Sequence, residues 1–420
     1  MANLYQETAE PAPEAPSLTT DLRVDVAVVG GGFTGLSTAL HLAERGVQVA
    51  LLEAHQPGFG ASGRNGGQVN PGLKWDPDVV ERNFGQDLAS RMNALGGGAP
   101  DLVFDLIKRH GIVCEARQTG TLRAATNARQ TASLRISFEQ WARRGAPVEL
   151  LEGAAVVGVT GTDRYPAAMF DRRGGDLNPL SYARGLARAA VQAGASVYGN
   201  TRVLEISKDG ALWKLRTPRA VVRADHVVIA TNGYTDDVWP ALRRTIVPVF
   251  GAIAATAPLS DATTRVVMPT RSVLYEIGAI TVYYRVDGGQ RLLIGGRGPM
   301  REIAAATAIP HIVNYALKLW PALQGIAWTH AWGGQLAMTR DHYPHVHEPA
   351  DGILVCLGYN GRGVALATAM GVQLANRILN RLGAFDMPIT TMKTIGFHAL
   401  WPLAVRAIIA RGRIGDYLGL

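Results

Sequence analysis

Only two cysteines, Cys114 and Cys356, occur among the 420 residues. Two thiols cannot build a disulfide framework, so a reducing, cytoplasmic setting is expected rather than a stapled secreted fold. No run of about 18 or more uninterrupted apolar residues is present, which excludes a conventional membrane-spanning helix. The N-terminal stretch ANLYQETAEPAPEAPSLTT has neither a basic start nor an apolar core, so it does not read as a secretory signal. Its proline, alanine and glutamate content suggests an arm, residues 1–21, lying over the surface. There is no internal repeat and no low-complexity segment after that arm. Basic runs are also missing: the formal charge of +8 comes from scattered arginines without an aromatic-interleaved patch. Nucleic acid is therefore not an expected partner; such a charge suits an acidic substrate or an anionic membrane surface.

Hydrophobic residues make up 47% and charged residues 18%, the balance of an ordinary soluble enzyme with enough chain for about two or three domains. The most informative stretch runs from Val24 to Glu53. There VDVAVV meets GGGFTG, and a helical pattern closes at VQVALLE. Gly30, Gly32 and Gly35 stand in G-x-G-x-x-G spacing, and Leu36, Ala39, Leu40 and Ala43 mark one helix face before a stop at Gly46. The pattern is that of a dinucleotide-binding βαβ unit. Gly30 permits the turn out of the strand, Gly32 lets backbone approach a pyrophosphate, and Gly35 lets the helix pack on the sheet. Phe33 and Thr34 open a helix whose amides face phosphate. Glu53, followed by Ala54, ends the second strand where ribose hydroxyls donate.

Three later regions decide which dinucleotide. GFGASGRNGGQV, Gly58 to Val69, offers Ser62, Gly63, Arg64, Asn65, Gly66 and Gly67. SVYGNTRVLEI, carrying Val203, and the apolar run HVVIATNGYT supply Ala230, Thr231, Asn232 and Gly233. ILVCLGYNGRGVALATAMG brings Gly358, Asn360, Gly361, Arg362 and Gly363 from a buried strand into a helix. This set, in this order, resembles the flavoprotein family of D-amino-acid oxidase, glycine oxidase and sarcosine oxidase over nearly the whole chain. Its S-G-R-N-x-G and G-Y-N-G-R-G patterns are similar to those of bacterial γ-glutamylputrescine oxidases and L-pipecolate oxidases.

The resemblance implies an α/β fold in which a Rossmann-like FAD-binding domain is interleaved with a β-sheet-based substrate domain. Residues 22–90, 172–245 and 326–390 are expected in the first, 91–171 and 246–325 in the second, with a basic amphipathic segment at 391–420. Between Arg91 and Gly145 the pattern is mostly helical, and Asp176 to Gly194 reads as another helix. From Val247 to Gly296 the period is two, and Asp287-Gly288-Gly289 in TVYYRVDGGQRLLIGG is a hairpin signal.

The implied chemistry is hydride removal from the carbon next to nitrogen to flavin N5, followed by imine hydrolysis. Dioxygen is the acceptor in an oxidase, giving hydrogen peroxide, and a quinone in a dehydrogenase. Candidates for that chemistry are Arg64 and Asn65 at the ring edge, Arg362 at the helix start, Lys74, Tyr283 and Trp332. Arg362 faces flavin, substrate or only neighbouring backbone. Lys74 is an oxygen-assisting lysine, as sarcosine-oxidase-like enzymes possess, or a solvated loop residue. Tyr283 and Tyr284 alternate faces on a strand, so one points to the pocket or core. Glycine-oxidase-like sequences place a carboxylate-binding arginine where Leu336 stands, and sarcosine-oxidase-like ones a lysine where Ala365 stands. Losing both points to an amine, such as a γ-glutamylated polyamine. The alternative is a secondary amino acid such as L-pipecolate, with Arg285, Arg297 or Arg362 as carboxylate partner.

Relatives that attach flavin covalently use a cysteine that is missing between Trp332 and Pro344, so non-covalent FAD is expected. His342, His345 and His347 lie around Pro344 in a loop-like stretch without cysteine ligands, and no metal is expected there. The terminal segment HALWPLAVRAIIARGRIGDYLGL combines Trp401, Leu403, Val405, Ile408 and Ile409 with Arg406, Arg411 and Arg413. It lies on an anionic membrane surface, packs over the flavin domain, or forms a dimer interface.

Overall fold

The computed structural model describes residues 3–278, 281–301, 303–379 and 385–407. Ile408, Ile409, Arg411 and Arg413 therefore lie outside the described residues. The strands form two eight-stranded sheets and a two-stranded one that pairs Gln68–Val69 with Gly175–Asp176.

In the first sheet the strands run in the order His345–Ala350, Ile353–Leu357, Val221–Ile229, Leu22–Val29, Val49–Leu52 and Ser196–Tyr198. Leu212–Arg216 and Glu205–Asp209 extend from Val221–Ile229 as an antiparallel branch. Leu22–Val29 pairs in parallel with both Val49–Leu52 and Val221–Ile229, and the latter with Ile353–Leu357. Their side chains are apolar on both faces because both faces are covered: Val26, Ala27 and Val28 are fully buried. The helices Phe33–Ala43, Gly363–Ile378, Pro179–Gln192 and Gln86–Arg109 share one core on one side. Trp213, Leu215 and Val238 contribute to a second core on the other. This layout sends the ends of several parallel strands, each followed by a glycine-rich turn, to one edge of the sheet, where such folds bind ligands. Gly35 is fixed by this packing, since a Cβ there would stand 2.0 Å from the Gly30 carbonyl oxygen.

The second sheet runs Trp328–Met338, Val247–Thr256, Leu292–Arg297, Tyr283–Val286, Val273–Glu276, Thr121–Ala125, Ala167–Asp171 and Val148–Glu152. The hairpin at Asp287 forms: its carboxylate accepts from the Arg291 amide at 2.7 Å. Helix Pro310–Leu319 backs this sheet through Ile312, Ala316 and Leu319.

Three placements differ from the sequence reading. Trp328–Met338, expected with the flavin-binding segments, joins the second sheet as the antiparallel partner of Val247–Thr256. Ladder bonds with a strand some eighty residues upstream decide that, and no local pattern shows them. Helix Gln86–Arg109, split by the expected boundary at residue 91, packs Met92, Ala99 and Val103 into the same core as Leu36 and Met370. The N-terminal arm does not simply lie over the surface: Leu4, Tyr5 and Leu18 are each buried, and Leu4–Thr8 is a short helix. At the other end, residues 401–407 are helical, Trp401 stacks on Phe250, and Val405 is buried. Among the described residues no helix is long and apolar enough to cross a membrane.

Candidate active site

A single continuous cavity of about 1790 Å³ extends from the strand ends of the first sheet to the face of the second. Of the expected cofactor contacts, all but Gly35, Gly63, Gly67 and Gly358 line it. Those four pack behind the wall.

At one end stands the βαβ unit. The Glu53 carboxylate accepts from the Gly31 amide at 2.6 Å and from the His55 amide at 2.9 Å, which holds the turn closed while carboxylate lone pairs remain for ribose hydroxyls. A Cβ on Gly32 would meet only the Ser62 hydroxyl, 2.9 Å away. That hydroxyl in turn accepts from the Phe33 amide at the start of the helix. The space in front of Gly32 is thus open to the cavity, and a side chain there would fill a phosphate's place. Thr34 bonds the Tyr359 hydroxyl at 2.6 Å, and Asn232 accepts from the Gly358 amide, linking the turns that follow Leu22–Val29, Val221–Ile229 and Ile353–Leu357.

In the middle lies the Ser62–Gly67 segment. The Asn65 side chain is used up within its own turn, donating to the Ala61 and Ser62 carbonyls and accepting from the Gly67 amide. Asn65 still lines the cavity, with its side chain held in that turn. Arg64 lines the cavity, but its Nε donates to the Phe59 carbonyl and its guanidinium lies 5.0 Å from the Phe59 ring centroid. Trp332, expected in the chemistry, is absent from the cavity wall. It is buried with its ring edge-on to Tyr5 and donates to the Arg64 carbonyl at 3.0 Å.

The far end is built by the second sheet. Tyr275 and Tyr283 are cross-strand neighbours on the cavity face. Tyr284 points the other way, donating to the Tyr165 hydroxyl, which donates to Glu276. Burial pushes the Tyr283 phenol up, so it stays protonated. Arg362 sits at the N-cap of Gly363–Ile378 and donates to the Pro71 carbonyl at 2.6 Å and the Tyr275 hydroxyl at 2.7 Å. Arg123 is paired with Asp76 at 2.7 Å.

Lys74 also lines the cavity, and among the described residues its ammonium has no hydrogen-bond acceptor or ion pair. The residue as a whole is exposed, yet partial desolvation by the surrounding wall, with the Arg362 and Arg123 cations adding to it, brings its pKa down to about 8. His342, on the same wall, is likewise pushed down, by burial and then by the Lys74 charge. His345 instead bonds Asp341 and stands edge-on to His347 with ring centroids 5.5 Å apart, while His347 bonds the Thr390 carbonyl; among the described residues no group of three candidate metal ligands assembles.

Leu336 lines the wall, with Val247, Val249, Phe250 and Met338 around it on the same pair of strands. Ala365, by contrast, is buried in the helix core and does not face the cavity. Arg285 is withdrawn too: fully enclosed, it pairs with Asp176 at 2.7 Å. Arg297 remains on the wall without a carboxylate partner among the described residues. Sequence reasoning missed Tyr275, Arg123 and Phe250. Tyr275 follows from the period-two pattern of SVLYE, but nothing in the sequence shows which face meets the cavity.

The residues present fit FAD. The space before Gly32, the amides of the Phe33–Ala43 helix start and Glu53 match an adenosine diphosphate moiety, and the same cavity of about 1790 Å³ continues to the Tyr275 and Tyr283 wall.

Known proteins give the same assignment. The family model described as FAD dependent oxidoreductase (DAO) matches residues 25–377. The chain is 33% identical to the gamma-glutamylputrescine oxidoreductase of Escherichia coli over 92% of its own length and 90% of that protein. It is 30% identical to a probable oxidoreductase OrdL of Rhizobium meliloti, over 91% and 89% of the two chains. Among solved structures, glycine oxidase from Geobacillus kaustophilus superposes with a TM-score of 0.75 at 24% identity, covering 89% of this chain and all of that one. A mixed two-sheet architecture, a cavity shaped for FAD and a match over most of the sequence together place the chain in the DAO family of FAD-dependent oxidoreductases.

Proposed function

We propose that this enzyme oxidises the C–N bond of an amine that bears a distal polar or acidic group, in the manner of γ-glutamylputrescine, and releases the product as an imine that water hydrolyses. The observation that carries the reading is the apolar strand wall at Leu336, where a clamp for an α-carboxylate would otherwise stand. An α-carboxylate against that wall would be an unpaired charge, which costs several kcal/mol in effective terms. The likeness to the E. coli oxidoreductase supports the same substrate class.

When bound, FAD supplies the hydride acceptor and passes the electrons on, to dioxygen in the preferred reading. This chain's own residues do the rest. Leu336, Val249 and Phe250 exclude water from the reacting carbon, and the Tyr275 and Tyr283 phenol oxygens offer acceptors to the substrate N–H. The Arg362 cation disfavours a protonated amine nearby, which leaves the nitrogen lone pair available. Lys74 and Arg297 are the side chains suited to a distal carboxylate.

Those same two cations favour a second reading, oxidation of a secondary amino acid such as L-pipecolate with a quinone as acceptor. Anaerobic stopped-flow reduction of the bound flavin decides between them. γ-Glutamylputrescine is expected to reduce it much faster than glycine, sarcosine, D-alanine or L-pipecolate. Fastest reduction by L-pipecolate would replace the amine reading with the second one, and turnover with dioxygen alone separates oxidase from dehydrogenase.

A further inference from the structure

Three carbonyl groups of the Gly63–Gly66 segment are held from behind by side chains that are far apart in sequence. Asn3 Nδ2 donates to the Gly63 carbonyl at 2.9 Å, Trp332 Nε1 to the Arg64 carbonyl at 3.0 Å, and Arg285 Nε to the Gly66 carbonyl at 2.7 Å. The three donors support one another. Tyr5 stands edge-on to Trp332 with ring centroids 5.1 Å apart, and its hydroxyl receives Arg285 Nη2 at 3.4 Å. Asp176 holds the far side of Arg285 and is itself held by Arg117.

A planar trans peptide points its C=O and the following N–H in opposite directions. With the Arg64 carbonyl directed at Trp332, the Asn65 N–H is turned away from Trp332, on the side where Asn65 and Gly66 line the cavity. The Arg64 and Gly67 amides are occupied, by the Ala61 carbonyl and the Asn65 side chain. The Asn65 and Gly66 amides have no acceptor among the described residues. An amide left without an acceptor costs free energy unless a ligand or water supplies one.

We propose that Asn3, Trp332 and Arg285 are positioning residues that hold the Gly63–Gly66 backbone against the flavin, Trp332 setting the Asn65 amide directly while Asn3 and Arg285 fix the peptides on either side of it, so that the N-terminal segment is a structural part of the flavin pocket. The role is independent of which amine is oxidised, since none of the three side chains touches the substrate space.

The test measures flavin binding rather than turnover. Apoprotein of the parent, Trp332→Phe and Asn3→Ala is titrated with FAD, and the visible spectrum of each reconstituted protein is recorded. Trp332→Phe keeps a ring against Tyr5 and removes only the N–H. Each variant is expected to bind FAD about tenfold more weakly, the size of one hydrogen bond. The flavin absorption bands are expected to shift, while the melting temperature of the apoprotein stays near the parent's. An unchanged dissociation constant or an unchanged spectrum in both variants overturns the proposal and leaves the three contacts as packing alone. If Trp332→Phe does not fold, Asn3→Ala, which deletes one short side chain, is read by the same criteria.

Discussion

Arg362 donates to the Tyr275 hydroxyl at 2.7 Å with its guanidinium carbon 5.1 Å from the ring centroid. The bond ties the first turn of a helix on the flavin-binding sheet to a strand of the second sheet. It also fixes a full positive charge beside the cavity, where a helix N-terminus already favours negative charge.

This contact separates two roles for Arg362. Arg362→Ala with flavin content intact but a raised KM would make it a substrate contact; loss of flavin would place it on the cofactor. We expect intact flavin and a roughly tenfold rise in KM, because the guanidinium is held by Pro71 and Tyr275 on the substrate side.

Two glycines of the same motif should fail differently. Gly32→Val is expected to fold and to purify without flavin, because only the Ser62 hydroxyl opposes a side chain there. Gly35→Ala should lose about 3 kcal/mol or more of stability, since its Cβ would overlap the Gly30 carbonyl. Thermal melting of the apoproteins together with flavin absorbance reads both. Normal flavin content in Gly32→Val would move the pyrophosphate site elsewhere.

Acid precipitation should release all the flavin as free FAD. The two cysteines are both buried and neither lines the cavity, and burial pushes each thiol up to about 12. Yellow colour left in the pellet would contradict non-covalent binding.

Lys74 gives a pH dependence of definite sign. Its folded pKa, about 8, lies below the ordinary lysine value, so its cation is present below that pH and lost as pH rises through it. Binding of a substrate with a distal carboxylate should therefore weaken above about 8, and Lys74→Met should flatten that limb of the kcat/KM profile. A profile unchanged in Lys74→Met would remove the lysine from substrate binding.

Leu336→Arg restores a cation to the strand wall. We expect kcat/KM for sarcosine or glycine to rise about tenfold relative to a plain amine, the lower range for a hydrogen-bonded charge pair. An unchanged ratio would show that the carboxylate enters along a different wall.

The nucleotide end of the site was legible in the chain because it is local. Gly30, Gly32, Gly35 and Glu53 lie on one strand–helix–strand unit, and a turn of fixed geometry demands glycine wherever backbone meets backbone. The hairpin at Asp287 was legible for the same reason. What the tertiary structure alone decided is non-local. Trp328–Met338 belongs to the second sheet because Val247–Thr256 completes its ladder. Trp332 and Leu336 share one face of that strand, but Tyr5 and the Arg64 carbonyl cover Trp332 while Leu336, farther along beside Val249, is left on the cavity wall. Asn3 and Arg285 meet the Ser62–Gly67 segment from 60 and 219 residues away, and Ala365 disappears into a helix core. Such assignments depend on which surfaces the packed sheets bring face to face, and residue type together with spacing carries no record of that.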